Sequence, residues 1–481
     1  MQQRWPRWAG WTILVAAAGA ILLLRGLLWA QAPRTPGAEE FPGFASSIND
    51  EMTPHLISGP RGEIFRLWQR IADPREGGGG VLLAAQGPQE TWRNLLEIRP
   101  TERGVTARDP KLAVGPSGEL AVVYRWWRQQ PRAKHLRLAR SDDGGKSWTQ
   151  PSMFIDQSGK AFDPEVAWGK DRALVVTWAD ERRGNRLFDI YARRSPDGGI
   201  NWDPEQHLSL SPDQAPNDLY ASSRMVSDGH ERFGVVWVGL RSGRSALYLS
   251  RSTDAGRTWT APVALSGESM SVYGHSLHRA GDRLLLVWQD TRTGIDRLYA
   301  VSSADGGLTW TSPVRVDHLP AGSNAVAAFP TAVLAQDGEA LVVWQDTRNG
   351  REDIYLARSE DWGRTWGMED RRLDADEPGT AISRFPQIAR GPQGQVAVAW
   401  EDDRAGYEGI YLRVWGSGRR QWGPETRVTP ITPKKATRLP RILWGSNGLL
   451  HLAWEVWDHT AGPMAITKQV ASQTLRPSAP E

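Results

Sequence analysis

Three arginines stand two residues ahead of a proline: Arg108 in "RDPKL", Arg384 in "RFPQI" and Arg438 in "RLPRI". A guanidinium is a planar fork that matches a carboxylate bidentately, so arginines brought to one place would clamp an acidic ligand. Corresponding positions elsewhere carry Asp109, Asp163, Phe162, Phe385 and Tyr273. Trp126 and Trp127 in "YRWWRQQ", and Trp457 in "WEVWDHT", put extra aromatic rings on what read as loops. Such rings either stack on sugar faces or cap a hydrophobic core. His275 and His278 lie three apart and suggest a metal, but two imidazoles without a third ligand read better as polar surface. Whether any of these residues meet depends on the elements that carry them.

Those elements repeat. "WQDTRNGREDIYLARSEDWGRTW", from Trp344, and "WQDTRTGIDRLYAVSSADGGLTW", from Trp288, hold the same residues at the same offsets. An irregular core gives no reason for this, whereas stacked identical units do. A proline followed fourteen residues later by an aromatic recurs from Pro54 to Trp68, Pro110 to Tyr124, Pro164 to Trp178, Pro330 to Trp344, Pro386 to Trp400 and Pro440 to Trp454. Two further units keep only the aromatic, Trp237 and Trp288. Each unit reads as a first strand opened by its proline, where no amide is needed, then a second strand, a third such as "DIYLARS" and a fourth such as "SPVRV". The count is eight at a period near fifty-five, or seven if the first unit packs irregularly. Four antiparallel strands repeated radially predict an all-β propeller whose first strands surround a central channel. The last unit has no fourth strand, and "FASSIND", just before Pro54, is expected to supply it and remove the open edge.

Two turns recur. Between the second and third strands stands W-x-D-x-R-x-G: Asp180 with Arg182, Asp290 with Arg292, Asp346 with Arg348 and Asp402 with Arg404. An Asp and Arg so spaced fix how a loop leaves a strand. Between the third and fourth strands stand "SDDGGKSW", "SPDGGINW", "STDAGRTW", "SADGGLTW" and "SEDWGRTW". Here Asp accepts backbone amides, Gly supplies a left-handed angle and Trp packs between sheets. This second pattern is the Asp box, and with it the chain resembles the sialidase-like propellers, the bacterial neuraminidase repeat proteins. The seventh unit loses the Asp in "WGSGRRQW", and the first keeps only Thr91 and Trp92.

The resemblance implies a structural role for Asp143, Asp197, Asp254, Asp305 and Asp361, on the face opposite the active site. It also implies an arginine triad on a substrate carboxylate, here Arg108, Arg384 and Arg438. A tyrosine nucleophile would be Tyr273, with Asp109 or Asp163 as acid/base and Glu408, beside Tyr407, as the activating carboxylate. Trp126 and Trp127 would bind substrate. Two departures stand against this. The "RLPRI" and "RFPQI" motifs follow the boxes instead of preceding them, and the repeat count exceeds the family's six blades. No Glu is placed beside Tyr273 by the repeat.

Composition bounds the rest. With 49 Gly, 32 Pro and 25 Trp in 481 residues, the chain is suited to short strands and tight turns. A formal charge of +3 with scattered basic residues argues against nucleic acid. Cysteine is absent, which excludes disulfides and thiolate metal sites. No HExxH, P-loop or dinucleotide fingerprint is present, and no cofactor is expected. Arg4 and Arg7 before "WTILVAAAGAILLL" predict a signal peptide or uncleaved anchor over residues 1–32, spanning at 11–30 if retained. A linker is expected at 33–45, the propeller at 46–475 and a tail at 476–481. The chain is therefore expected to be exported to the periplasm or cell exterior as a monomer. Its expected role is to bind a glycan or envelope protein through the channel face. The alternative is exo-hydrolysis of terminal sialic acid or a related acidic sugar.

Overall fold

The computed structural model describes residues 50–71, 79–86, 91–150, 153–184, 188–209, 219–241, 244–416, 421–460 and 467–476. The expected leader, its linker, all of "FASSIND" but Asp50, and residues 477–481 lie outside these. The described residues form eight antiparallel sheets in which strands follow chain order. They are blades 1 to 8, with first strands Asp50–Ser58, Val105–Val114, Ala161–Trp168, Leu219–Ser227, Val272–Ala280, Ala327–Leu334, Ser383–Arg390 and Lys435–Trp444. Asp50 opens the first strand of blade 1, opposite Ile71, and four strands complete that blade, so the count is eight. Blades 2 and 8 have three strands among the described residues. In blade 2 the fourth is reduced to one bridge, Arg140 to Thr149.

Each blade is a sheet with a neighbour on both faces, which is why second strands such as "ALVVWQD" and "VAVAWED" are buried at every residue. Every junction between neighbouring blades holds its own apolar cluster. Trp178, Trp237, Trp288, Trp344 and Trp400 are the largest fully buried side chains. The ring closes face to face: Trp68, Leu82 and Ala84 of blade 1 pack with Val470 of blade 8. Beside them Arg66 donates to Ser472 at 2.6 Å and Gln86 to Thr474 at 2.9 Å.

The prolines correct an expectation. They sit inside the first strands, at a bulge, and do not open them. The register slips between Arg108 and Lys111, Phe162 and Glu165, Ala328 and Thr331, Arg384 and Gln387, and Arg438 and Arg441. The residue before each proline is left-handed: Asp109 at φ 49°, Asp163 at 48°, Phe329 at 57°, Phe385 at 52° and Leu439 at 52°. A bulge leaves one residue out of the ladder, so a proline there costs no hydrogen bond, and the kink re-aims the side chains around it.

The Asp boxes are self-contained. Asp143 accepts the Ser147 amide at 2.9 Å, the Ser147 hydroxyl at 2.6 Å and the Ser141 hydroxyl at 2.7 Å, while Ser141 accepts the Gly145 amide at 2.8 Å. The same contacts recur at Asp197, Asp254, Asp305 and Asp361. Burial pushes the Asp305 carboxyl up, but the Thr309 and Ser303 donors together outweigh it and draw it down to about 2.

The second-to-third-strand turns are equally closed. Asp180, Asp290, Asp346 and Asp402 are wholly buried. Each accepts the indole N–H of the tryptophan two residues before it, at 2.9, 3.1, 3.0 and 3.4 Å. Each also accepts the amide and guanidinium of the arginine two residues after it. Those guanidinium groups lie 3.7, 4.2, 3.9 and 4.5 Å from tyrosine rings of the third strand.

Candidate functional site

The first-strand bulges bring the residues before each proline to the mouth of the channel, on the face of the second-to-third-strand turns. A clasp from the preceding blade holds several of them. The bulge amide of Asp109 donates to Gln69 at 3.0 Å, Phe329 to Gln289 at 3.4 Å, Phe385 to Gln345 at 3.2 Å and Leu439 to Glu401 at 3.2 Å. In each case the acceptor follows the second-strand aromatic. This satisfies an amide that the bulge has removed from its ladder.

Two of the three arginines meet. Arg384 Nε lies 2.5 Å from Glu401, and its Nη2 lies 3.6 Å from Glu408 Oε1. Arg438 Nη2 donates to that same Glu408 oxygen, and its guanidinium stacks 4.6 Å from the Trp457 ring. Burial pushes the Glu408 carboxyl up, but Arg438 and Arg384 hold it below its ordinary value. Burial pushes the Arg384 guanidinium down, and Glu401 and Glu408 more than reverse this. Arg108 is held apart from this pair, on blade 2. It donates to Thr106 at 2.9 Å and stacks 4.5 Å from Trp127, while the adjacent Asp109 is paired to Arg125 at 2.7 Å. Burial and then Arg125 lower the Arg108 value, against Asp109.

Tyr273, on blade 5, has the carboxylate partner that the repeat did not reveal. Its hydroxyl donates to Asp296 at 2.6 Å and accepts from Gln289 at 3.0 Å. Burial raises Asp296 despite the Tyr273 bond. Asp163, on blade 3, is also raised by burial, with Arg224 and Lys111 opposing and Glu165 and Asp109 assisting.

The aromatic expectation changes. Trp126 and Trp127 lie within a second strand, Leu120–Arg128, and Trp457 within another, Leu450–Asp458. Where the W-x-D-x-R pattern is lost, the strand simply runs on. Trp126 is 5% exposed, packed on His135 and Phe154, and Trp457 is 7% exposed. Trp127 is half-buried. The histidines are not polar surface either. His275 is buried in its bulge, and His278 Nε2 accepts the Ala332 amide at 3.2 Å.

One acidic cluster stands out among the described residues: Asp353, Asp374 and Asp376. Arg372 Nη2 lies 3.0, 2.7 and 2.7 Å from the three, so a guanidinium occupies the place a cation would take. Burial pushes Asp374 up against Arg372.

Sequence reasoning missed Asp296, Glu401 and Arg125, together with the charged residues that follow the bulges. For Glu401 the residue after each second-strand aromatic was a usable signal, since Gln69, Gln289 and Gln345 hold the same slot.

Residues 165–452 match the family described as BNR repeat-like domain. The sialidase of Micromonospora viridifaciens is 23% identical over 337 residues, covering 61% of this chain and 50% of that one. The chain thus spans about half the length of this curated relative. The Penicillium chrysogenum alpha-L-arabinanase, solved with arabinobiose, is 16% identical, with 77% of this chain and 94% of that one covered and a TM-score of 0.41. The propeller domain of the Trilobed protease from Pyrococcus furiosus is 11% identical, with 80% and 99% covered and a TM-score of 0.43. The family match covers more than half of the sequence and takes in four of the five well-formed boxes. The chain therefore belongs to the BNR repeat-like domain family, within the sialidase-like Asp-box propellers.

Proposed function

We propose that this protein is an exported recognition module that binds an acidic glycan at the channel mouth without cleaving it. One observation carries this reading: the Arg108 guanidinium lies over the half-buried ring of Trp127, and its neighbouring carboxylate, Asp109, is already taken by Arg125. A stacked ring beside a guanidinium that donates to Thr106 and has no carboxylate partner among the described residues suits a sugar face and its carboxylate. Arg384 and Arg438, by contrast, are satisfied by Glu401 and Glu408 from within. The leader expected at residues 1–32 supports export, and the bound partner is then an envelope or extracellular glycan.

A second reading, hydrolysis of a terminal acidic sugar, is favoured by the 2.6 Å bond between Tyr273 and Asp296, the arrangement of a nucleophile beside its base. The full-length chain, offered 3′-sialyllactose by calorimetry and a fluorogenic sialoside in parallel, separates them. Binding lost in Arg108→Ala, with no turnover between about pH 4 and 8, supports recognition. Turnover abolished in Tyr273→Phe overturns it in favour of hydrolysis.

A further inference from the structure

The residue immediately after each bulge occupies one register position in every blade. It is charged or titratable at His55, Lys111, Glu165, Arg224 and Arg441, opposite Leu67, Val123, Thr177, Val236 and Ala453, and neutral in the other three blades. The position faces its counterpart in the next blade: Lys111, Glu165 and Arg224 join blades 2, 3 and 4 by ion pairs, and the first strands of blades 8 and 1 pack side by side. The groups acting on His55 of blade 1 are Lys111 of blade 2, Arg441 of blade 8 and Arg224 of blade 4, and no carboxylate is among them. Blades 1 and 4 are not neighbours, so only the open centre of the ring allows Arg224 to act there.

The cations differ in how they are satisfied. Lys111 and Arg224 share Glu165, at 2.9 and 3.5 Å. Arg441 gives one N–H to the carbonyl of Pro440 at 3.0 Å and forms no ion pair among the described residues. Burial lowers its pKa even though Glu455 acts to raise it. The His55 ring makes no hydrogen bond among the described residues, and burial together with the three cations keeps its pKa well below the ordinary value. Buried charges are normally paired, and an unpaired guanidinium next to an unpaired imidazole in neighbouring blades is a cost without a structural return. Neither residue is sealed off, since both are partly exposed. Forked donors and a proton acceptor in a positive field are what a small oxyanion needs.

We infer that the channel, below the mouth, holds a phosphate or sulfate group between Arg441 and His55, either as the free ion or as an ester carried on a sugar. The bound anion accepts from the free N–H groups of Arg441 and from a protonated His55, with Lys111 and Arg224 contributing charge from the opposite side. This site is deeper than the glycan-binding mouth and does not depend on Arg108.

The full-length chain with 15N-labelled histidine is titrated with inorganic sulfate, inorganic phosphate and glucose 6-phosphate, with chloride keeping the ionic strength constant. His55, assigned from the resonance missing in His55→Gln, is expected to titrate about one pH unit or more higher with a saturating anion. A response to the inorganic ions identifies a free-ion site, and a response to glucose 6-phosphate alone identifies an ester site. Arg441→Gln is expected to weaken binding about tenfold or more by calorimetry without lowering Tm, since it removes an unpaired charge. Arg441→Lys, which keeps the charge and loses the fork, is expected to fall between, and it serves if the glutamine variant does not fold. A His55 resonance unmoved by all three probes, or unchanged affinity in both Arg441 variants, overturns the site.

Discussion

The mouths of blades 6 and 7 and those of blades 8 and 2 are built on one register with opposite results. In blades 6 and 7 the second strand is seven residues long and ends in Asp346 or Asp402, which gathers an indole, an amide and a guanidinium into a buried knot. In blades 8 and 2 the second strand is nine residues long and a tryptophan lies where the chain would have turned. The first-strand arginine then stacks on that ring, Arg438 on Trp457 at 4.6 Å and Arg108 on Trp127 at 4.5 Å. The clasp residue changes too: Gln345 of blade 6 accepts the bulge amide of Phe385 in blade 7, whereas the same slot in blade 2 is Arg125, which pairs with Asp109. Regular blades spend their polar groups on themselves. Of the two irregular blades, blade 8 has its guanidinium taken by Glu408, and blade 2 leaves a guanidinium and a half-buried indole for something else.

The sharpest way to break this contrast is to remove the knot. Asp346→Ala strands a buried indole N–H and weakens the hold on Arg348, and is expected to cost about 3 kcal/mol in denaturant unfolding. Asp458→Ala, at the end of the corresponding strand in blade 8, is expected to cost less than about 0.5 kcal/mol, because its pair with Lys435 is partly exposed. Equal losses would show that the two sectors are held alike.

Acidification should act next. His278 is held by burial at about 4 and accepts an amide that its protonated ring could not accept. Its folded value lies below the ordinary 6.5, so between those limits the unfolded chain takes a proton that the fold refuses. Stability contributed by this group should therefore fall as pH drops from about 6.5 to about 4. His278→Gln should flatten that part of a Tm-against-pH curve, and an unchanged slope would place the effect elsewhere.

Smaller again is the clasp. Gln345→Ala leaves the Phe385 bulge amide without its acceptor and is expected to cost about 1 kcal/mol by denaturant unfolding. The least effect on stability is expected at the stack: Trp127→Ala should change it by less than about 1 kcal/mol while weakening 3′-sialyllactose binding about tenfold. Unchanged binding would remove Arg108 and Trp127 from the proposed mouth.

Much of the fold was legible because its cause is repeated. Fourteen residues from proline to aromatic recur because every blade must offer the same two buried faces to its neighbours. The Asp box was legible because all of its bonds close within eight residues. The bulge was not, since a proline at a strand start and one lifted out of the ladder leave the same trace. Trp126, Trp127 and Trp457 were placed on loops because the turn pattern vanished there, and nothing local says that a strand continues instead. Of the site, the ring of residues before each proline was readable, but its pairings were not. Glu408 reaches Arg384 and Arg438 from another loop, and Asp296 reaches Tyr273 from a turn twenty-three residues away.

What the amino-acid order determined alone is the unit, its strands and its boxes, each set by contacts close along the chain or by a burial pattern common to all blades, while the packing of the first unit decided between seven and eight. What only the tertiary structure decided is which exceptions to the unit become neighbours. His55 and Arg441 are 386 residues apart in sequence and lie in adjacent blades because the ring closes blade 8 on blade 1. Closure is a property of the whole ring, and the charges it assembles at the centre exist as a group only once the ring is complete.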